Sequence, residues 1–489
     1  MKIIIPLFKE NQKLPKQFTK LLYGKPAIEY LINTLNSSNI GHFKFEIWTN
    51  IEEIRDKYND LKIEFQTYDQ AKSLNNKNLI FINPNFAFIS EFTISECIKY
   101  PENSLVSGDS FVLVDKLSQI GKTPTFIDQS NQMIHLSSKE QINLGTRYGW
   151  WIAEKELKKK KIIVHPLSAK KLGTGHIYRG LTLATRLFVD HDVIFLFRSD
   201  QQLGINMVSN EGFEVLTYSE NKNPEEEIIK NKPDIVINDL LDTSKDYIIK
   251  LKQCGIRVIN FEDMGEGAAY ADAVINALYP GEVPQDNFYT GEDYYCIRED
   301  FIGVSKKVIT KDVKEILITY GGEDPQFLTL TTLKGILKLQ VEFHFHVKII
   351  LGPAFNKHDE LHNTIEELGL NEKVTIYDSV KDMSRFMREA DIIFTSAGRT
   401  MYEVATIGTP AVVTAQNYRE LTHTFGHPYN GFYNLGYWAD ASENSYYEVT
   451  KKLIINYDLR KLMHDRMSKS DFSQGINRVL RIILNEEDE

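Results

Sequence analysis

The chain has 489 residues, enough for about three domains of roughly 150 residues each. Its 57 basic and 67 acidic residues leave a formal net charge of -10, which argues against a general nucleic-acid or anionic-membrane binder. Hydrophobic residues at 42% suffice for ordinary globular cores, and three distant cysteines, Cys97, Cys254 and Cys296, exclude a disulfide framework or a cysteine-based zinc cluster.

No apolar run reaches the roughly 20 residues of a membrane span. The chain opens on a strand-like segment rather than on a signal-peptide pattern, so a cytoplasmic protein is expected. Three segments share a basic lead, a run of branched apolar residues and a loop: MKIIIP at 1–6, KIIVHP at 161–166 and KEILITY at 314–320. Each predicts a buried parallel strand whose C-terminal end delivers a loop. The implied domains are 1–157, 158–309 and 310–489. The first ends in a charged helix tail, and its lysines, Lys158 to Lys161, suit a solvated helix C-terminus better than a polyanion site. Further strands are predicted at 193–197, 235–237 and 258–261, then at 348–351, 374–377, 392–395 and 411–414. Between these groups, residues 278–312 are irregular, with Pro280, Gly281, Pro284 and Gly291. Strands alternating with helical spacing are the pattern of parallel α/β folds. The last two domains are therefore expected to be lobes facing a cleft, with ligands beyond the strand C-termini.

The sharpest motif is Gly173, Thr174, Gly175 and His176, just ahead of a helix that carries Arg179. Glycines let a ligand approach the backbone, and free helix N–H groups attract anions such as diphosphate. A histidine there can take a proton from water or a sugar hydroxyl. The plainer reading is a turn with a histidine at the helix start, and the spacing is not the dinucleotide fingerprint. Gly321 and Gly322 follow the third opening strand and again give flexible backbone at a strand end. Ser396, Ala397, Gly398, Arg399 and Thr400 form another small loop before a helix. Glu403 then reads either as a carboxylate for ribose hydroxyls or as a capping-box partner of Thr400. Gln416, Asn417, Tyr418, Arg419 and Glu420 follow the strand at 411–414 at the same ligand-facing end.

These motifs carry a resemblance. Residues 161–484 resemble the UDP-sugar hydrolase of pseudaminic acid biosynthesis, itself similar to inverting glycosyltransferases of the two-lobed, MurG-like GT-B fold. The match rests on GTGHIYRGLTLATRL at 173–187, YGGEDP at 320–325, SAGRTMYE at 396–403 and AQN at 415–417. The resemblance implies two Rossmann-like domains and hydrolysis of a UDP-linked 2,4-diacetamido-trideoxyhexose at C1, with inversion and without a metal or other cofactor. It implies that His176 is the catalytic histidine, that Asp239 faces the sugar, and that Glu403 and Asn417 serve the nucleotide end. Gly173, Gly175, Arg179, Gly321, Gly322 and the 396–400 loop would complete the substrate site. Two positions depart from the pattern. Arg399 stands where a smaller residue is usual, and Asp239-Leu240-Leu241-Asp242 replaces an Asp-Xaa-Tyr segment.

The first domain resembles sugar-acid cytidylyltransferases in Ile4-Ile5-Pro6, in Lys13-Leu14-Pro15-Lys16-Gln17 and in the stretch from Leu22 to Tyr30. A triphosphate site would draw on Lys9, Lys13, Lys16 and Lys25. Asp109 is the nearest candidate carboxylate for the Mg2+ that an active nucleotidyltransferase needs. The short domain and the Asn83-Pro84-Asn85 segment, where a threonine–serine–proline loop is usual, point to a degenerate domain. It would then bind a nucleotide or sugar, or dock a neighbouring pathway enzyme such as a sugar-acid synthase. A homo-oligomer and a wholly non-catalytic role are further alternatives.

The rival for the two-lobed part is an inverting UDP-sugar glycosyltransferase, with a hydroxyl in place of water as acceptor. Tyr437, Trp438, Tyr446 and Tyr447 would then form a carbohydrate-stacking wall. His344 and His346 alternate on a predicted strand but lack a third ligand, so a solvated strand face is expected there.

Overall fold

Parallel strands organise most of the chain. The computed structural model describes residues 2–8, 18, 20–22, 24–36, 45–58, 60–65, 70, 79–90, 92–95, 105–107, 110–114, 137–168, 174–279, 286–369, 372–378 and 380–486. Lys9, Lys13, Lys16, Asp109 and Gly173, all candidate site residues, lie outside them. The chain forms two units, Met1–Lys159 and Lys160–Glu489.

The first unit contains β1 (Lys2–Leu7), β2 (Leu21–Leu22), β3 (Lys25–Pro26), β4 (Phe45–Thr49), β5 (Ile63–Phe65), β6 (Leu79–Ile82), β7 (Leu105–Ser107) and β8 (Ser110–Val114). Six of them form a sheet in the order β5-β4-β1-β6-β8-β7, parallel on the β1 side and antiparallel at β8 and β7. Ile3, Ile5 and Leu7 pack against Ile28, Leu31 and Leu35 of the helix Ala27–Asn36. The closing helix Arg147–Lys158 starts at Thr146, whose side chain accepts the Gly149 N–H, and it buries Trp150 and Ala153. Lys155 and Lys158 lie in its last turn, and Lys159 pairs with Glu156, so the lysine run is a helix end facing water. Lys25 is exposed on the short β2–β3 ribbon.

The second unit holds two parallel sheets. Its first lobe carries β9 (Lys161–Pro166), β10 (Asp192–Arg198), β11 (Glu214–Tyr218), β12 (Ile235–Asp239), β13 (Arg257–Phe261), β14 (Ala273–Asn276) and β15 (Phe288–Thr290), in the order β11-β10-β9-β12-β13-β14-β15. The second lobe carries β16 (Glu315–Thr319), β17 (His346–Leu351), β18 (Val374–Asp378), β19 (Ile392–Ser396), β20 (Ala411–Ala415) and β21 (Phe432–Tyr437), in the order β18-β17-β16-β19-β20-β21. Both are doubly wound, so the second unit is an α/β fold of two Rossmann-like lobes. Their central strands are continuous apolar runs because helices cover both faces. In each sheet the winding reverses between the first and fourth strands in chain order, β9 and β12 in one and β16 and β19 in the other. Such a switch point opens a crevice at the strand C-termini.

Two crossings depart from the expected limits of 158–309 and 310–489. Tyr295, Ile297 and Phe301 belong to the core of the second lobe, where Tyr295 stacks on Tyr402 at 4.0 Å. The last helix, Gly475–Leu484, returns to the first lobe and buries Ile476, Val479 and Ile483 in its core. Arg257 fastens it by donating to the carbonyls of Ile482 (2.8 Å) and Ile483 (3.1 Å). Apolar periodicity marks the helix as amphipathic but does not say which sheet receives it. Strand β17 begins at His346, so His344 precedes it; His344 is exposed, and His346 bonds Thr375 at 2.8 Å. If the returning helix completes the first lobe, Ile483→Ala should lower unfolding free energy by ~2–5 kcal/mol. Urea denaturation followed by tryptophan fluorescence and circular dichroism measures this.

Candidate functional site

The crevice of the first lobe is built by the helix Gly175–Leu187, which leaves β9, and by the ends of β12 and β13. Gly180 lets that helix lie close to the sheet, since a Cβ there would stand 3.1 Å from the Phe195 ring. His176 and Arg179, three residues apart, share one helix face. Asp239, the last residue of β12, receives both. His176 Nδ1 donates to its Oδ1 at 2.5 Å, Arg179 Nε donates to its Oδ2 at 2.6 Å, and Arg179 Nη2 also reaches Oδ1. Arg179 Nη1 donates to Glu262, the residue after β13. The guanidinium lies over the Phe261 ring at 4.9 Å and is only 2% exposed.

Burial opposes ionisation of Asp239, but Arg179 and then His176 outweigh it and hold the carboxyl below its usual range. Glu262 is held down in the same way by Arg179 and Arg399, again against burial. Its backbone is left-handed at φ 52°, and its N–H donates to Ile275 O at 3.0 Å. That turn aims the carboxylate back at Arg179. With Nδ1 bound to Asp239, Nε2 is the His176 ring nitrogen left to accept a proton.

The second lobe brings small loops to its own switch point. Gly321 follows β16 with φ 81°, and a Cβ on Gly352 would overlap the Gly321 carbonyl and Gly322. Asp324 accepts the N–H groups of Leu328 (2.8 Å) and Thr329 (2.9 Å), which starts the helix Leu328–Leu337. Ser396 and Ala397 are buried, Gly398 and Arg399 partly exposed, and Thr400 begins the helix Thr400–Ile407. Arg399 reaches back across the cleft. Its side chain lies against Gly175, its Nη1 stands 3.5 Å from Glu262 Oε1, and its Nη2 donates to Cys296 O at 3.3 Å.

Gly175, His176, Arg179, Asp239 and Arg399 are thus brought together, while Gly321, Gly322, Ser396, Ala397 and Gly398 line the strand ends of the second lobe. Glu403 accepts from Arg298 Nε at 2.7 Å; it does not reach back to Thr400, and no side chain caps that helix. Asn417 is exposed and caps the short helix Tyr418–Leu421, its Oδ1 accepting the Glu420 N–H at 2.9 Å. Lys25 lies in the first unit.

Three residues went unassigned by sequence reasoning. For Glu262 the signal was the Phe261-Glu262-Asp263 segment, a weaker part of the resemblance, while its left-handed backbone is not displayed by a sequence. Arg419 donates to the Glu262 carbonyl at 2.6 Å and also to the Tyr279 hydroxyl. Glu420 turns its carboxylate into the second-lobe loop. Its Oε2 accepts the Gln416 N–H at 2.8 Å, and its Oε1 lies 3.5 Å from where a Cβ on Gly398 would be. Desolvation raises its pKa to about 7, although the Gln416 and Ala397 amides pull the other way. The AQNYRE segment was the available signal for both residues.

No protein-family model matches the chain. An uncharacterized protein of Methanocaldococcus jannaschii, MJ1062, is 29% identical over 333 residues, 62% of this chain and 68% of that protein. The spore coat polysaccharide biosynthesis protein SpsG of Bacillus subtilis is 24% identical over 325 residues, 64% of this chain and 94% of that protein. Among solved structures, MurG of Acinetobacter baumannii overlaps 67% of this chain and 99% of its own at 16% identity, with a TM-score of 0.49. HepE of Anabaena in complex with UDP and glucose overlaps 67% and 100% at 12% identity, with a TM-score of 0.45.

Arg179→Met leaves two buried carboxylates without their shared cation and should destabilise the chain by about 3–5 kcal/mol in urea unfolding. Glu420 has a folded pKa above its unfolded value. The folded form therefore binds the proton more tightly, and this stabilisation is lost as pH rises from roughly 4.5 through about 7. Glu420→Gln should remove that downward slope when unfolding free energy is measured across the same pH range.

Proposed function

We propose that the second unit is a sugar-nucleotide enzyme of glycan biosynthesis, and that it hydrolyses a UDP-linked 2,4-diacetamido-trideoxyhexose to UDP and free sugar. The observation that carries this reading is the His176–Asp239 pair at the switch point of the first lobe, facing the small loops of the second. Asp239 fixes the tautomer and supports the positive charge that His176 gains. His176 Nε2 takes a proton from water as the water oxygen attacks the anomeric carbon. The C1–O bond to UDP breaks on the opposite face, so configuration inverts. Charge growing on the departing phosphate oxygen is met by N–H groups at the starts of the Gly175–Leu187 and Thr400–Ile407 helices and by Arg399. The scheme asks for no metal or other cofactor. The similarity to SpsG, a protein named for polysaccharide biosynthesis, agrees with this class of substrate.

An inverting glycosyltransferase is the second reading, and one observation favours it. Exposed Tyr418 stacks on Tyr437 at 4.8 Å and 20°, an aromatic surface next to Asn417 on which an acceptor sugar could lie. The wall foreseen from Tyr437, Trp438, Tyr446 and Tyr447 is different, because Tyr446 is buried in the core. His176 would then deprotonate a hydroxyl instead of water. We assign the first unit a supporting role, as a degenerate cytidylyltransferase-like domain that binds a sugar nucleotide or docks a neighbouring enzyme or second copy. Mg2+ enters only if it transfers nucleotides. Such a pathway belongs in the cytoplasm; among the described residues, no helix is long and apolar enough to cross a membrane.

The test is incubation with UDP-diacetamido sugars under NMR observation. UDP and reducing sugar should appear with the wild type and slow by about 10²–10⁴-fold with His176→Ala. Equal rates would remove His176 from the chemistry, and UDP release only after an acceptor is added would select the transferase.

A further inference from the structure

Three guanidinium groups converge on the cleft, and they are unequally neutralised. Arg179 hydrogen-bonds both oxygens of Asp239 and one of Glu262. Arg399 comes no closer than 3.5 Å to Glu262 Oε1, the oxygen that Arg179 already uses, and its hydrogen bond goes to the carbonyl of Cys296. Arg419 hydrogen-bonds two neutral acceptors, the Glu262 carbonyl and the Tyr279 hydroxyl, while the largely exposed Asp242 carboxylate stands 3.9 Å away. Among the described residues, neither Arg399 nor Arg419 hydrogen-bonds a carboxylate. Two cations therefore share weak counter-charges at the mouth of the cleft, in a chain whose net charge is -10.

The Arg399 guanidinium lies over the Tyr295 ring at 4.7 Å, while its stem meets a helix N-terminus. Gly175, the first residue of its helix, would bring a Cβ within 3.3 Å of Arg399 Cδ, so the arginine stem crosses the helix N-terminus. That end carries positive partial charge, which repels a guanidinium and attracts an anion. An anion between them satisfies both groups. One phosphate at the helix end would be within reach of Arg399, and a second, linked phosphate would suit Arg419, since both arginines approach the same residue, Glu262.

We propose that Arg399 and Arg419 form a two-arginine clamp that selects a nucleoside diphosphate over a monophosphate, the diphosphate supplying the close anionic partner that the Glu262 carboxylate, held by Arg179, does not. This rests on the sugar-nucleotide reading given above and adds to it the residues that count phosphates. Arg419 is a substrate-binding group in this scheme, and Glu262 is a positioning group that holds Arg399 and Arg419 at the cleft.

The experiment is calorimetric titration of the full chain with UDP and with UMP, for the wild type, Arg399→Gln and Arg419→Gln. Circular dichroism melts identify any variant that has lost its fold. Arg419 is partly exposed, so Arg419→Gln should fold, and Arg419→Lys serves as a second variant that keeps the charge. Each glutamine variant should lose on the order of ten- to a hundredfold in UDP affinity and much less in UMP affinity, narrowing the ratio. Arg419→Lys should fall between. If the wild type binds UDP and folded variants keep its UDP-to-UMP ratio, the clamp is wrong and the sugar-nucleotide reading stands. If the wild type binds neither nucleotide, both fall together.

Discussion

One buried guanidinium organises the first lobe. Arg179 draws in two carboxylates from the ends of adjacent strands, β12 and β13, and presses its own face on Phe261. Without that cation, Asp239 and Glu262 would repel one another in a site with little water. With it, both stay ionised and their positions are set to hydrogen-bond precision. The orientation of His176 depends on this arrangement, because its partner oxygen on Asp239 is also a partner of Arg179. Helix, strand ends and candidate base are in this sense one electrostatic unit.

A second polar network supports the first from the loops behind it. Asp263 follows Glu262 and accepts from the Thr243 N–H (3.0 Å), the Thr243 hydroxyl, the Gly265 N–H and Asn260. It thereby binds the loop after β12 to the loop after β13. Asn260 in turn pairs with Asn238, the residue before Asp239, at 2.9 Å. Polar side chains buried this completely are tolerable only when their partners are in place, so the strand-end loops have little freedom to move independently.

Much of this was legible in the sequence. The three apolar openings, the GTGH turn and the SAGR loop are local patterns, and local patterns survive in a string of letters. His176 and Asp239 could be nominated separately, but their contact spans 63 positions and depends on strand order. Glu403 shows the limit from the other side. Its spacing from Thr400 suggests a cap, yet its partner is Arg298, 105 residues earlier, on the segment between the lobes. Arg419 and Glu420 sit in one short turn and face different loops. Their roles follow from which lobe each meets, and sequence spacing does not encode that. Strands β11, β14, β15 and β21 were also missed, being short or interrupted by polar residues, whereas the edge strand β18 was foreseen from its Val374-Thr375-Ile376-Tyr377 run.

The returning C-terminal helix gives the cleft a mechanical character. Among the described residues, the chain enters the second lobe after β14 and returns to the first ahead of Gly475. A lobe hung on one linker can swivel in any direction. A lobe hung on two linkers turns about the line that joins them, as a door turns on paired hinges. The second tie thus removes directions of relative rotation that a single linker would leave to the two lobes.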